Sequence, residues 1–420
     1  METRASCDSV AVSDLADYAW LTGSEGAHWL AAVCSSTEPI HCQLQRLRKV
    51  LSAKRGGLVV EQVELRRRAE TKFGPRAAQM FFTEVAMQQA TDLWIAEYKA
   101  ARFSAGRPVH DYCCGIGGDL LALAGRGPVA GWDRAPEVVL LAEANLRAAG
   151  HPRTSQVSAA NVEELSPGGA EGWHLDPDRR HGGRRSVRVE AHSPGLEVIT
   201  RLRQASPHGA LKLAPAAVVP AAWERDAELE WISWNRQCRQ LVVWFDQMAS
   251  AVGRRRATVV TKMEDPLAAP VTSSFVGDRA CRAPQTDGHG PFLYDADPAV
   301  REAGLTGALA VDQQIAALGS EAGYLTGARR STHALLTAFE VLDRLPLRVG
   351  PLGKHLRELG VGRLEIKKRG VETDPEQLRR QLKLQGDESR TLLLTRLGKR
   401  EIAFLARRCG DGVTDCVHAD

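Results

Sequence analysis

Long apolar runs are missing from this 420-residue chain. None approaches the roughly 18–20 residues that a bilayer-spanning helix needs, so no membrane span is expected. A secretory leader is missing too. Met1 to Trp20 is mixed and acidic, without the basic-then-apolar order of a signal peptide, and the expected compartment is the cytoplasm. Cysteines at metal or redox spacing are also absent. The nine cysteines stand at 7, 34, 42, 113, 114, 238, 281, 409 and 416, and no two form Cys-x-x-Cys. Zinc ribbons and thioredoxin-like motifs are therefore unsupported, and no metal is expected. What remains is an ordinary globular composition, 44% hydrophobic and 25% charged. The length exceeds one typical hydrophobic core and predicts two or three domains.

One further absence is the most informative. Val109-His110-Asp111-Tyr112-Cys113-Cys114-Gly115-Ile116-Gly117-Gly118-Asp119-Leu120 reads as a buried strand, a glycine-rich turn and the start of a helix. Glycines admit positive φ and let a ligand approach bare backbone, and a helix start offers unpaired N–H groups. A dinucleotide fingerprint needs Gly-x-Gly-x-x-Gly, but the third glycine counted from Gly115 would fall on Leu120. No Gly-Lys-Ser/Thr follows either, so a nucleoside-triphosphate loop is excluded. Instead Asp111 closes the strand and Asp119 opens the helix. A carboxylate facing the loop suits a cationic amino group, such as that of a methionine moiety, better than a pyrophosphate. Cys113 and Cys114 fit as small residues of the turn in a reducing compartment.

A second strand, Val129 to Asp133, again ends in an acid. The helix after it has Pro136 in its first turn, apolar Val138, Leu141, Ala142 and Leu146, and Gly150 as its stop. An acid ending the second strand of a βαβ unit can accept both ribose hydroxyls, and Asp133 is the expected ribose ligand.

Asp111-x-x-x-Gly115-x-Gly117-Gly118-Asp119, followed by an acid at the end of strand two, resembles the S-adenosylmethionine site of class I methyltransferases. Its form with Tyr112-Cys113-Cys114 is similar to the branch holding trimethylguanosine-synthase-like enzymes and a bacterial group with a C-terminal THUMP-like domain. Met80-Phe81-Phe82-Thr83, Gln89-Ala90-Thr91 and Ile95-Ala96-Glu97-Tyr98 resemble that bacterial group as well. The likeness runs from about residue 45 to 408. It implies S-adenosyl-L-methionine as cofactor, held by Asp111, Cys113, Gly115, Gly117, Asp119, Asp133 and Asn161. Asn161 enters as the adenine-edge contact after the third strand.

Apolar spacing is helical from residue 1 to about 105, with Leu44, Leu47 and Leu51 as one stripe. Residues 106–262 alternate short strands with helices, as in a doubly wound Rossmann-like α/β sheet. Strands are expected at 108–111, 129–133, 173–176, 210–214, 229–234, 240–245 and 256–261, the last three making an antiparallel edge. Residues 263–293 are rich in Pro, Gly, Ser and Asp and read as a long loop within a connector over 263–335. A small α+β domain of order βαβαββ follows over 336–408, with Asp374-Pro375-Glu376-Gln377 as a capped helix start, then a tail over 409–420. Arg363 to Arg408 carries 13 Lys and Arg against 7 Asp and Glu, a net of +6, whereas the whole chain is only +4. Basicity concentrated in one module suits a phosphate backbone, and Arg363-Leu364-Glu365-Ile366-Lys367-Lys368-Arg369-Gly370 resembles the THUMP-like domain, which implies RNA.

The chemistry is expected where the fourth strand ends, at Asp176-Pro177-Asp178-Arg179. Methyl transfer to nitrogen needs an acceptor that holds the amine N–H and aims its lone pair, and Asp176 or the Pro177 carbonyl can do so. Amino-methylating relatives follow Asp/Asn-Pro-Pro with an aromatic ring. Here Asp178 and Arg179 stand in its place, and an arginine plane can also stack on a base. The form resembles RNA uracil-C5 methyltransferases too, but their catalytic Cys in Ser-Cys-Asn is absent. Arg179 to Arg188 packs five arginines and His181 into ten residues, which suits a phosphate contact. Lys212 points either toward substrate or along the sheet edge. The expected function is an S-adenosylmethionine-dependent methyltransferase acting on an RNA base. Two alternatives stand beside it: a small-molecule methyltransferase, and a catalytically silent RNA-binding protein on a Rossmann-like core.

Overall fold

Helices dominate the chain before residue 105. The computed structural model describes residues 15–151, 155–181, 184–261, 270–320 and 323–410, in two compact units. In the first unit the N-terminal helices include α1 (Ser24–Cys34), α2 (Ile40–Leu47), α3 (Ala53–Phe73), α4 (Glu84–Gln89) and α5 (Leu93–Ala100). Local chemistry sets their ends. The Ser52 hydroxyl accepts from Arg55 N at 3.2 Å to open α3, and Gly74 at φ 57° closes it. Thr83 caps α4 by accepting from Ala86 N at 3.1 Å. Between caps, α3 buries Val59, Val60, Val63 and Leu65.

The Rossmann-like sheet follows. Strand β1 (Val109–Tyr112) leads through α6 (Gly118–Ala124) to β2 (Val129–Asp133), then through α7 (Pro136–Ala148) to β3 (Ser155–Ala159). The chain crosses back to β4 (Gly172–Leu175) on the other side of β1. A short hairpin, β5 (Arg180–His181) and β6 (Arg184–Arg185), precedes α8 (Leu196–Ala205) and β7 (His208–Leu213). Pairing is parallel from β3 through β2, β1 and β4 to β7. Winding reverses between β1 and β4, and in such sheets the crevice beyond the strand ends at that point takes the ligand. Strand β9 (Gln237–Asp246), rather than the earlier β8 (Ala227–Trp234), lies antiparallel beside β7. The missing third glycine has its explanation here. A side chain on Gly131 of β2 would come within 3.0 Å of Leu120, so the glycine that permits helix–strand packing sits on the strand instead of the helix.

Strands β10 (Arg255–Thr261) and β11 (Val271–Gly277) follow. Residues 263–293 were expected to form a loop, but β11 and β12 (Gln285–Thr286) lie within that span. Strand β11 is an edge strand with one buried residue, so no apolar alternation announces it. The expectation for residues 263–269 falls outside the described residues.

The second unit is built on an eight-stranded sheet. Besides β12 it contains β13 (Phe292–Ala296), β14 (Ala316–Leu318), β15 (Leu325–Gly327), β16 (Leu336–Pro346), β17 (Val361–Lys368), β18 (Glu388–Leu397) and β19 (Arg400–Arg408). Their order is β12-β14-β15-β13-β16-β19-β18-β17. Helices α9 (Pro298–Glu302) and α10 (Thr306–Asp312) follow β13, and α11 (Val349–Glu358) and α12 (Pro375–Leu382) flank β17. The C-terminal part has the expected βαβαββ order. Asp374 caps α12 by accepting from Gln377 N at 2.7 Å. Strand alternation separates two cores: Leu392 and Leu394 pack with Leu352, Leu356 and Leu378, while Leu393 packs with Phe339 and Phe404. Among the described residues no helix is long and apolar enough to cross a membrane.

Candidate active site

Three residues in the glycine-rich turn take the left-handed conformation: Cys113 at φ 59°, Gly115 at 55° and Gly117 at 91°. A side chain added at Gly115 would meet nothing within 4 Å, so the turn presents bare backbone to open space. Asp133 holds this geometry. One carboxylate oxygen accepts from Gly115 N at 3.0 Å and the other from Ala135 N at 3.1 Å. From behind, buried Asn145 donates to the carbonyls of Ile116 at 2.9 Å and Phe81 at 3.1 Å, and accepts from Phe81 N at 2.7 Å. The segment around Met80–Thr83 is thereby tied to the turn through one side chain of α7.

The two acids flanking the turn behave differently from the open carboxylates that their positions suggest. Asp119 points inward. It pairs with Lys99 Nζ at 2.6 Å and accepts from the Thr91 hydroxyl at 2.5 Å. Asp111 is 1% exposed, and its Oδ1 lies 2.7 Å from His174 Nδ1. The other imidazole nitrogen of His174 lies 3.2 Å from Lys99 Nζ. One proton arrangement satisfies this chain: the Lys99 ammonium donates to Asp119 and to His174 Nε2, and His174 Nδ1–H donates to Asp111. Asp111 Oδ2 is left buried without a hydrogen-bond partner.

Charge counting sharpens the point. Lys99 balances Asp119, so beside a neutral His174 an ionised Asp111 is one negative charge in excess. Burial, outweighing His174, pushes the Asp111 carboxyl above its ordinary value. Burial pushes Asp119 the same way, but Lys99, His174 and Lys212 outweigh it and hold that carboxyl well below the usual range. Burial also pulls the Lys99 ammonium down against the opposing pull of Asp119. A cation arriving at Asp111 Oδ2 would both fill an empty acceptor and cancel the surplus charge.

At the end of β4, Asp176 N donates to Tyr112 O at 3.2 Å, which seats the segment beside the turn. Asp176 Oδ2 lies 2.5 Å from Lys212 Nζ. The sequence left Lys212 between substrate and sheet edge; it is instead committed to this ion pair and to the Gln89 carbonyl at 3.2 Å. Burial alone would depress the Lys212 ammonium, yet Asp176, then Asp119, hold it above its ordinary value. Asp176 therefore has Oδ1 left for a substrate, beside the Pro177 backbone. Asp178 is fixed by paired backbone bonds to Ser193 at 2.8 and 2.9 Å, and its carboxylate lies 3.4 Å from Arg134. Arg179 is exposed, and its carbonyl accepts from Ser186 N at 3.0 Å, closing the β5–β6 hairpin.

Asn161 is engaged elsewhere. Its amide accepts from Glu163 N at 3.2 Å and donates to Glu164 at 2.9 Å, so the side chain proposed for the adenine edge is spent on its own turn. Burial, then the carboxylate of Asp133, pushes the Cys113 thiol up, and burial does the same to Cys114. Neither suits a thiolate nucleophile. Sequence reasoning missed Lys99 and His174. The available signal was a lysine one turn after Ile95 and Ala96, on the apolar face of a short helix. A cavity lined by Arg76, Tyr98, Leu121, Arg126 and His151 contains none of the turn residues or strand-end acids and is separate from this site.

An S-adenosylmethionine-dependent methyltransferase of Mycobacterium tuberculosis, itself uncharacterized, is 32% identical over 357 residues, 83% of this chain and 94% of that protein. The chain belongs to the S-adenosylmethionine-dependent methyltransferases. The same protein from a second M. tuberculosis strain matches with equal identity and coverage. This methyltransferase also matches the THUMP domain-like family over residues 336–408 and a domain of unknown function over 14–69. A candidate methyltransferase from Porphyromonas gingivalis W83, known from a crystal structure, shares the fold with a TM-score of 0.73 at 18% identity, covering 91% of this chain and 97% of that one. S-adenosylmethionine is the cofactor, and the residues fit it. Its ammonium would suit Asp111 Oδ2, which lacks a partner, and its approach would use the open backbone at Gly115.

Proposed function

We propose that this methyltransferase modifies an RNA base in the cytoplasm, with 106–262 as catalytic domain and 336–408 as RNA-contacting domain. The observation that carries the reading is the THUMP domain-like match over 336–408, the same stretch in which the chain concentrates its positive charge. The exposed Arg179 adds a cation beside the strand-end acids.

When bound, the cofactor would supply a methyl group activated by its sulfonium. The rest is the work of this chain. Asp111 Oδ2 and the turn from Cys113 to Gly117 would hold the cofactor's amino-acid portion. Asp133 would accept from the ribose hydroxyls with the lone pairs not used by Gly115 and Ala135. Asp176 Oδ1 and the Pro177 carbonyl hold the acceptor N–H, so that the nitrogen lone pair faces the methyl carbon. The proton released from nitrogen passes to Asp176 and then to water. Lys212 keeps Asp176 oriented, and Arg179 stacks on the target base.

A second reading has specific support. Within the basic module Arg390 pairs with Glu388, Arg396 with Glu401 and Arg407 with Glu340, which favours a structural module on a small-molecule methyltransferase. RNA binding by the full chain separates the two readings. The RNA reading expects affinity that falls steeply between about 50 and 200 mM salt, as counterion release requires. Binding of S-adenosylhomocysteine without any RNA binding at low salt would refute it.

A further inference from the structure

Two buried carboxylates in the second unit gather more cations than they neutralise. Asp295 on β13 and Asp297, the N-cap of α9, are 2% and 1% exposed. Arg236 lies 3.2 Å from Asp295 and 3.6 Å from Asp297. Arg369 lies 2.7 Å from Asp295. Lys367 lies 3.6 Å from Asp295 and 3.4 Å from Glu365. Arg301, one turn past Asp297 on α9, is the fourth cation. It is partly buried, and its guanidinium forms no ion pair or hydrogen bond among the described residues. Burial and then Arg369 pull it below its ordinary value, with Arg236 adding to the effect and Asp295 and Asp297 opposing it. Four cations thus face three carboxylates.

Two more features set the cluster apart from a closed ion-pair network. Buried polar atoms are left over: Arg369 Nε, the hydroxyl of fully buried Tyr324 and Asp297 Oδ2 have no hydrogen-bond partner, and the Tyr324 ring centroid is 6.0 Å from the Arg369 guanidinium carbon. Arg236 also stands at φ 59° beside Asn235 at 49°, a two-residue hairpin turn that favours glycine at its second position. Its side chain is brought to the carboxylates against the preference of its backbone. A structural network would match its charges and leave no guanidinium unpaired. An oxyanion site instead keeps surplus guanidinium donors in place, with carboxylates fixing their orientation.

We propose that Arg236, Arg301, Lys367 and Arg369 form a phosphate-binding site in the second unit, oriented by Asp295 and Asp297 and completed by the phosphate itself. Tetrahedral and multiply charged, a phosphate offers enough oxygens for several forked donors, which a single carboxylate does not. The phosphate comes from an RNA backbone or from a free phosphate compound. The first source deepens the RNA reading above and rests on it.

The test uses the full chain and Arg301→Gln, which removes surplus charge without breaking an ion pair. Arg46→Gln, an exposed arginine outside the second unit and paired to exposed Glu38, is the control. One arm follows thermal unfolding against inorganic phosphate at constant ionic strength. The other follows fluorescence anisotropy of a labelled single-stranded RNA at several salt concentrations. For the RNA source, Arg301→Gln binds RNA several-fold more weakly and its log–log salt slope is smaller by about one, while the control is unchanged. For the free source, phosphate raises the midpoint of the wild type but not of Arg301→Gln, and RNA affinity is equal. In either case Arg301→Gln without ligand melts no lower than wild type, because repulsion from Arg369 and Arg236 is relieved. A wild type that binds no RNA removes the RNA reading, and the phosphate arm then decides the site alone. The proposal is overturned if Arg301→Gln matches wild type in both arms, or if it only melts lower with the phosphate shift intact.

Discussion

Lys99 is the perturbation that probes the site most directly. Its side chain is 2% exposed and its ammonium lies 2.6 Å from Asp119 and 3.2 Å from His174. Lys99→Met keeps the length and removes the charge. Asp119 then retains the Thr91 hydroxyl but is an uncompensated buried carboxylate at neutral pH. Breaking one side of a buried ion pair costs about 3–5 kcal/mol, far above the median for an exposed pair. The pH dependence has a definite sign. In the wild type the folded Asp119 carboxyl lies below its unfolded value, so the pair stabilises fully above the unfolded value and loses that contribution as pH falls through the folded one. In Lys99→Met the largest opposing charge is gone and burial raises the same carboxyl. The deficit is therefore largest near pH 8 and shrinks as acid neutralises Asp119. Urea unfolding followed by the buried Trp173 and Trp244 measures it. The double variant Lys99→Met/Asp119→Leu removes both charges and is expected to recover most of the loss. A Lys99→Met protein within about 1 kcal/mol of wild type at pH 8 would refute the reasoning.

Two contrasts complete the set. Gly117→Ala and Gly115→Ala both force a side chain into the left-handed region, but φ 91° lies outside the well that side chains tolerate and φ 55° within it, and the methyl at Gly115 points into open space. The first is expected to lose about 1–2 kcal/mol of stability and cofactor affinity together. The second is expected to keep more of its stability while S-adenosylhomocysteine binding, read by calorimetry, falls at least ten-fold. Equal binding by Gly115→Ala and wild type would place the cofactor elsewhere. Asp176→Asn keeps the shape but gives up the Lys212 pair and the anionic acceptor. Single-turnover methyl transfer is expected to slow about 100-fold or more, with S-adenosylhomocysteine binding changed less than three-fold. A binding loss as large as the rate loss would make Asp176 a cofactor contact instead.

Much of the architecture was readable because its signals are local. The strand–turn–helix at Val109–Leu120, the acid at Asp133 and the capped start at Asp374 each depend on a few adjacent residues. Strand β11 escaped because an exposed edge strand carries no apolar period. His174 escaped because a histidine inside a short buried strand has the pattern of core, and its partners Asp111 and Lys99 lie 63 and 75 residues away in the chain. Arg236 and Arg301 carried no signal at all, since nothing in their neighbours marks a shared pair of carboxylates.

Sequence alone was enough to place the glycine turn between two strand-end acids, to exclude a dinucleotide or triphosphate loop, and to locate the excess positive charge after residue 363. Those conclusions follow from backbone preference and composition, which neighbouring residues settle. Tertiary structure decided what the acids do. It turned Asp119 inward to Lys99, held one oxygen of Asp111 with His174 and left the other without a partner, and gave Lys212 to Asp176. Ionic roles depend on burial and on which charges meet in space, and packing brings those charges together from distant parts of the chain.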